Sequence, residues 1–413
     1  MNIKIGNLFK GDKVIWMVFL FLCLISIVEV FSASSTLTYK TQNYMGPLFK
    51  HLFMIGLGLF VAIVTLNIPC RYFKIVTPLL LFVSFVTLLW VLVAGESING
   101  ANRVIPLAGF TFQPSEIAKG TMVLVTAQIL SAMQRADGKG ADEKAMKYVL
   151  VLLLPTVFLI GLENLSTAIL LFTVVFLMMF IGRVPMLQMG KLMGVGIVAI
   201  AIFLTLVLTL GSMEEEDDAD GPARTEQAVA AKESSSGLFH RFSTWRNRIV
   251  KKHDTKNVAP EDYDIDNNYQ VGHANIAIAS SGIIGKGPGN STERDYLPQA
   301  YSDFIYAIII EEMGIFGAIF VVFLYVILLF RCARIAGRCE NNFPAFLVLG
   351  LALLLVIQAA INMMVACDFG IVTGQPLPLI SRGGTSTIIN CAYIGVILSV
   401  SRSAQRSTEL AKA

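Results

Sequence analysis

Residues 269–314 read YQVGHANIAIASSGIIGKGPGNSTERDYLPQAYSDFIYAIIIEEMG. The stretch reads as a glycine-rich polar loop that ends by entering an apolar helix. Asp303 stands at that entry, with Glu311 and Glu312 two to three turns further in. The chain on either side is built of long apolar runs. Carboxylates at the head of a helix buried in such surroundings are costly and need a reason.

The chain has 413 residues, 55% of them hydrophobic and 15% charged, with a mean hydropathy of +0.68. A soluble domain carries about 25% charge. Several runs reach or approach the ~20 residues that cross a bilayer core. They are too long and continuous for barrel strands of about 10 alternating residues. The chain therefore reads as all-α, a polytopic membrane protein forming one domain over 1–413. Six cysteines make no CxxC pair and sit mostly in or beside apolar runs, as small buried hydrophobes do. A net charge of +3 without a compact basic domain argues against a nucleic-acid partner.

Ten spans are expected, near 14–34, 49–67, 75–94, 115–133, 148–161, 168–182, 192–210, 304–330, 343–365 and 388–400. The fifth is short and contains Pro155, and with the sixth it flanks a polar tip, Glu163 to Thr167, which suggests a re-entrant or kinked region. Residues 95–114 read as a glycine-rich polar loop. Residues 211–300 form one large loop, with an acidic, disordered part at 213–236. Its next part, 237–252, spaces Leu238, Phe242, Trp245 and Ile249 helically among basic residues. That amphipathic helix suits an anionic membrane surface or the protein's own rim. An even number of spans puts both termini on one side. The opposite short loops carry only Lys40, Lys50, Arg103 and Arg382, so the termini are expected in the cytoplasm and the long loop outside.

The outward segments then hold Glu96, Arg103, Glu116, Lys119, Glu163, Asp303 and Arg382. A pocket built from them would suit a substrate with an anionic head and a lipid tail, because Arg and Lys bind phosphate oxygens. Two readings stay open for Asp303. The helix dipole favours an aspartate in a first turn; a partly desolvated carboxylate is also a good general base. Glu116 and Lys119, three apart, share a helix face and either pair to hold helices together or bind substrate. Glu311, Glu312 and Glu163 read as structural. GIIGKGPGNST lacks the Ser or Thr a Walker loop needs after its Lys. The four histidines show no metal spacing, so no metal site is expected.

Five stretches resemble the SEDS family (shape, elongation, division and sporulation): NGANRVIPLAGFTFQPSEIAK at 99–119, ENLSTA at 163–168, SSGIIGKGPGNS at 280–291, YLPQAYSDFIYAIIIEEMGIFG at 296–317 and TGQPLPLISRGGTS at 373–386. The likeness covers essentially the whole chain. ENLSTA, and the Ser-Ala-Ser at 32–34, resemble the division branch more than the elongation branch. The resemblance implies the ten-span SEDS fold and a peptidoglycan glycosyltransferase that polymerises lipid II, the undecaprenyl-pyrophosphate disaccharide-pentapeptide, outside the cytoplasmic membrane at the septum. It further implies a class B penicillin-binding transpeptidase and other divisome proteins as partners, and membrane lipids around it.

By the same resemblance the family's essential aspartate falls on Asp303, with Arg103, Glu116 and Lys119 as substrate-binding positions. Their motif neighbours Gln113 and Ser302 join them. Three positions depart from the common pattern: Val104 follows Arg103 where Trp is frequent, Tyr301-Ser302 precedes Asp303 where His-Thr is frequent, and Arg382 replaces an aromatic. Arg382 adds a positive charge able to meet pyrophosphate or peptide. A divalent cation, Mg or Mn, could share the charge balancing. The alternatives are a lipid II flippase, a non-catalytic scaffold recruiting a transpeptidase, and an elongation role in place of division.

Overall fold

A computed structural model of the chain describes residues 10–33, 45–98, 101–107, 110–136, 140–219, 246, 269–297 and 300–410. Among them are eleven α-helices and three short strands. In order these are α1 Lys13–Ala33, α2 Gly46–Asn67, α3 Cys70–Ala94, β1 Glu96–Ile98, β2 Ala101–Leu107, β3 Phe110–Phe112, α4 Pro114–Ala132, α5 Glu143–Glu163, α6 Leu165–Ile181, α7 Met186–Ala219, α8 Tyr269–Ser280, α9 Ile305–Ala336, α10 Asn342–Ala366 and α11 Thr385–Leu410. All but α8 coincide with the apolar runs of the sequence. Eight of these helices are long and apolar enough to cross a membrane; α6 is apolar over 17 residues. The chain is thus a helical, multi-pass membrane protein.

The helix α4 is the axis of the bundle and packs against α3, α5, α6, α10 and α11. Enclosed by protein rather than lipid, it can carry the polar side chains Glu116, Lys119, Thr121 and Thr126, all buried. Those residues are why it falls short of the other spans in hydropathy. The helices α2 and α11 approach closely through small residues: a Cβ on Gly58 would stand 2.7 Å from Cys391 Sγ, and one on Gly395 2.6 Å from Ala62 O. In contrast, α3 exposes Ile75, Leu79, Phe82 and Val93, and α7 exposes Val195, Ile197 and Ile200. Such surfaces suit hydrocarbon rather than water.

One end of the bundle is tied by the Asp12–Arg331 ion pair and by Ser399 Oγ donating to Ile68 O at 2.5 Å. At the other end, Thr385 Oγ1 donates to Thr111 O (2.8 Å), Gln375 Nε2 to Thr167 Oγ1 (2.6 Å) and Ser381 Oγ to Ser302 O (2.6 Å). The segments expected to share a side do meet at that end.

Several local expectations are corrected. Residues 95–114 are not simple loop: β1, β2 and β3 form an antiparallel sheet in that order, with a bulge between Glu96 and Ser97. The fifth span is not short. It begins at Glu143, capped by Asp142, which accepts from Lys144 N at 2.9 Å, and it runs through Pro155 to Glu163. Its polar first turn conceals the start. The re-entrant tip is instead a tight corner: Asn164 alone separates α5 from α6 and caps α6 by accepting from Ser166 N and Thr167 N. Residues 269–280 are the helix α8 rather than loop. The seventh span continues as helix to Ala219, so the acidic stretch begins helically. The rest of 213–236, and the amphipathic helix 237–252 apart from helical Arg246, lie outside the described residues.

Candidate functional site

Asp303 lies in a turn that precedes α9. Phe304 is the N-cap and Ile305 the first helical residue, so the carboxylate stands before the first turn rather than in it, which corrects the sequence expectation. The half-buried Asp303 is held twice. Ser302 Oγ donates to its Oδ1 at 2.8 Å, and Asn362 Nδ2, from α10, donates to its backbone O at 2.9 Å. The same Asn362 Nδ2 donates to Gln375 O at 2.7 Å.

The pair Glu116 and Lys119 forms as the spacing predicts: Lys119 Nζ donates to Glu116 Oε1 at 2.8 Å. It also reaches across to α10, donating to Gln358 Oε1 at 2.8 Å, while Gln358 Nε2 donates to Pro376 O at 3.0 Å. Tyr393 OH bonds Glu116 O. Lys119 has no exposed surface, so it lies beneath the site rather than on its surface.

Arg382 is drawn to the Asp303 turn by its backbone, whose N donates to Tyr301 O at 3.0 Å. Its guanidinium lies 5.4 Å from the Tyr301 ring centroid, and its Nη1 is buried without a hydrogen-bond partner. Burial holds this guanidinium below its ordinary value, with Tyr301 pulling the other way. Such a donor is poised for an anion.

Gln113 occupies the N-cap of α4 without a side-chain capping bond. Arg103 lies on β2, and its side chain is outside the described residues. Glu163 ends α5, buried, beside the Asn164 corner. Thr167, in the first turn of α6, joins that corner to the 375 segment.

Glu311 and Glu312 do different work. The helix α9 is broken at Gly314 (φ 66°, ψ −168°). There Glu311 O and Glu312 O accept from Lys286 N (2.9 Å) and Gly287 N (2.8 Å) of the preceding loop. The Glu311 carboxylate also accepts from Lys286 Nζ (2.6 Å), Thr292 Oγ1 (2.8 Å), Thr292 N (3.0 Å) and Ser291 Oγ. Glu312 accepts from Gly289 N (2.8 Å), Ser291 N (3.3 Å) and Ser32 Oγ. Both glutamates therefore fasten the loop 285–294 into the bundle. Beside them Glu29, fully buried on α1, lies within electrostatic reach of Glu312, and neither of its carboxylate oxygens is hydrogen-bonded.

Sequence reasoning missed Gln358, Asn362, Gln375 and Ser381. A signal was present for two of them: Gln358 and Asn362 are amides one turn apart in an otherwise apolar helix. Among the described residues no three His, Cys, Asp or Glu side chains converge to hold a metal.

The family model of the FtsW, RodA and SpoVE cell cycle proteins matches residues 12–219 and 223–406. The chain belongs to this family. It is 28% identical over 398 residues to the probable peptidoglycan glycosyltransferase FtsW of Saccharophagus degradans, covering 94% of this chain and 92% of that protein. It is 27% identical over 392 residues to the peptidoglycan glycosyltransferase MrdB of Escherichia coli K12, covering 94% and 93%. Among solved structures it resembles a chain from a study of a peptidoglycan synthase complex and its coordination of polymerization and crosslinking, with a TM-score of 0.69 at 23% identity over 95% of this chain and 98% of that one. It also resembles the rod shape determining protein RodA of Thermus thermophilus, with a TM-score of 0.63 at 23% identity over 96% and 98%. These likenesses support the SEDS fold.

Proposed function

We propose that this chain is a peptidoglycan glycosyltransferase that polymerises lipid II into glycan strands at the outer face of the cytoplasmic membrane, with Asp303 as general base. The observation that carries the reading is the Asp303 turn. It presents a half-buried carboxylate at one end of an apolar bundle, held by Ser302 and Asn362, with the unmatched Arg382 donor on the segment bonded to the same turn. The names of the relatives support the activity. The bias of Lys and Arg supports cytoplasmic termini and an outward site.

In the reaction, a sugar 4-hydroxyl of one lipid-linked unit attacks the anomeric carbon of the other. The new C–O bond forms as the bond to pyrophosphate breaks. The hydroxyl proton passes to the Asp303 carboxylate, and undecaprenyl pyrophosphate leaves with the bonding electrons. A single displacement inverts the centre, from an α-linked donor to a β-linked product. Arg382 and Arg103 stabilise the charge gathering on the leaving group. Lys119, enclosed with Glu116 and Gln358, sets a positive charge behind the site. The described residues do not form a metal cage, so no step is routed through a divalent cation.

A class B penicillin-binding transpeptidase is the proposed partner, in keeping with the synthase complex that the fold resembles. The relatives include division and shape proteins at nearly equal identity. The septal assignment rests on ENLSTA and the Ser-Ala-Ser at 32–34.

The test supplies labelled lipid II, with and without divalent cation, to the purified chain and its transpeptidase. Glycan ladders from the wild type but not from Asp303→Asn are expected. Ladders from D303N at the wild-type rate would remove the base role. No ladder from the wild type would favour flipping or scaffolding.

A further inference from the structure

We infer that Gln358 and Asn362 are positioning residues, a two-amide clasp that sets Asp303 and Lys119 in register through the extended segment Gln375–Pro376. The inference rests on the proposed role of Asp303.

Both residues are about 1% exposed, in the C-terminal half of a helix that is apolar from Phe343 to Ile357. Buried amides are expensive unless bonded; Gln358 spends a donor and its acceptor on other elements, and Asn362 spends its amide nitrogen on two carbonyls while its Oδ1 has no hydrogen-bond partner. Gln358 accepts from Lys119 of α4 and donates to Pro376 O. Asn362 donates to Asp303 O and to Gln375 O. Four residues apart, the two amides face one side of α10. They read two consecutive carbonyls, 375 and 376, of one extended segment. Each ties that segment to a different charged residue of the site.

The segment is fixed further at both ends. Gln375 Nε2 donates to Thr167, and Ser381 Oγ donates to Ser302 O while accepting from Leu377 N at 2.7 Å. Without the clasp, Ser302 would keep its bonds to the Asp303 carboxylate and to Ser381. The Asp303 carbonyl would lose its fastening to α10. The turn would then be free to shift by a fraction of an ångström to an ångström, and misplacement of about 1 Å can cost ~10²-fold in rate. Neither amide is placed to touch a substrate, since both are enclosed. Their effect must therefore fall on turnover rather than on binding.

The test measures kcat and KM for lipid II polymerisation, with the melting midpoint of the purified protein, for Asn362→Ala, Asn362→Ser and Gln358→Ala. For Asn362→Ala, kcat is expected to fall roughly 10- to 100-fold with KM little changed. Asn362→Ser keeps a hydroxyl donor and should recover part of the rate. If Asn362→Ala lowers the melting midpoint, Asn362→Ser decides instead. A kcat above that of Asn362→Ala then supports the clasp, and a kcat no higher than that of Asn362→Ala overturns it. A rise in KM alone also overturns it. Wild-type turnover by Asn362→Ala alongside an inert D303N would sink the clasp and leave the base role standing. Wild-type turnover by D303N would sink both.

Discussion

Gly285 and Gly314 lie backbone against backbone, each with a positive φ (85° and 66°). A Cβ on Gly314 would stand 2.6 Å from Gly285 N and 2.3 Å from Ile283 O. One on Gly285 would stand 2.3 Å from Glu312 O. The loop thus enters the gap in α9 by main-chain contact, and its amides take the carbonyls that the break leaves open.

Gly314→Ala and Gly285→Ala combine left-handed strain with a backbone clash. Each should destabilise by more than the ~1–2 kcal/mol of the strain alone. Gly282→Ala is the control, since Gly282 has φ +64° but open space around its Cβ. Thermal midpoints of the purified variants should fall clearly for the first two and slightly for the third. Equal falls for all three would mean that the contact with the helix break carries no weight.

Glu29 and Glu312 should respond oppositely to neutralisation. Glu312→Gln puts an amide nitrogen where donors converge and should cost about 1–3 kcal/mol. Glu29→Gln removes a buried carboxyl that has no hydrogen-bond partner and faces another acid, and it should raise the melting midpoint. A lower midpoint for Glu29→Gln would contradict this account.

The buried Glu116–Lys119 pair predicts strong coupling. Lys119→Met alone strands a buried carboxylate and should cost about 3–5 kcal/mol. Adding Glu116→Gln should recover part of that loss. Additive midpoints across the double-mutant cycle would show that the two groups act independently.

Arg382→Leu should lower kcat/KM for lipid II about tenfold or more, with kcat falling, as loss of a charge-assisted contact of ~1.5–3 kcal/mol to the leaving group implies. Arg382→Lys should rescue only in part, because an ammonium lacks the guanidinium fork. An unchanged kcat/KM for Arg382→Leu would remove Arg382 from the site.

The long helices were legible because apolar length is a local property of the chain. The Glu116–Lys119 bond followed from spacing alone. The gathering of the 110–113, 163–167, 300–304 and 373–385 segments at one end followed from counting spans. Other features hide from a one-dimensional reading. The first turn of α5, Glu-Lys-Ala-Met, looks like the basic loop before it. A glycine in an apolar helix does not announce a break; Gly314 becomes one because a loop some 30 residues earlier supplies amides to its carbonyls. The bond from Asn362 to Asp303 spans 59 residues, and no periodicity encodes it.

The break at Gly314 also divides α9 by length. At 1.5 Å per residue the part 315–336 rises about 33 Å, enough to cover a hydrocarbon core of about 30 Å unaided. The part 305–313, about 13 Å, is therefore surplus to the crossing and carries the Asp303 turn on a short post. Set along the normal, a post of that length passes the about 5–7 Å of headgroup on one side of the core and holds the turn at the membrane–water boundary. On the role proposed for Asp303, a lipid-linked sugar would meet the carboxylate above the headgroups while its tail stays in the hydrocarbon.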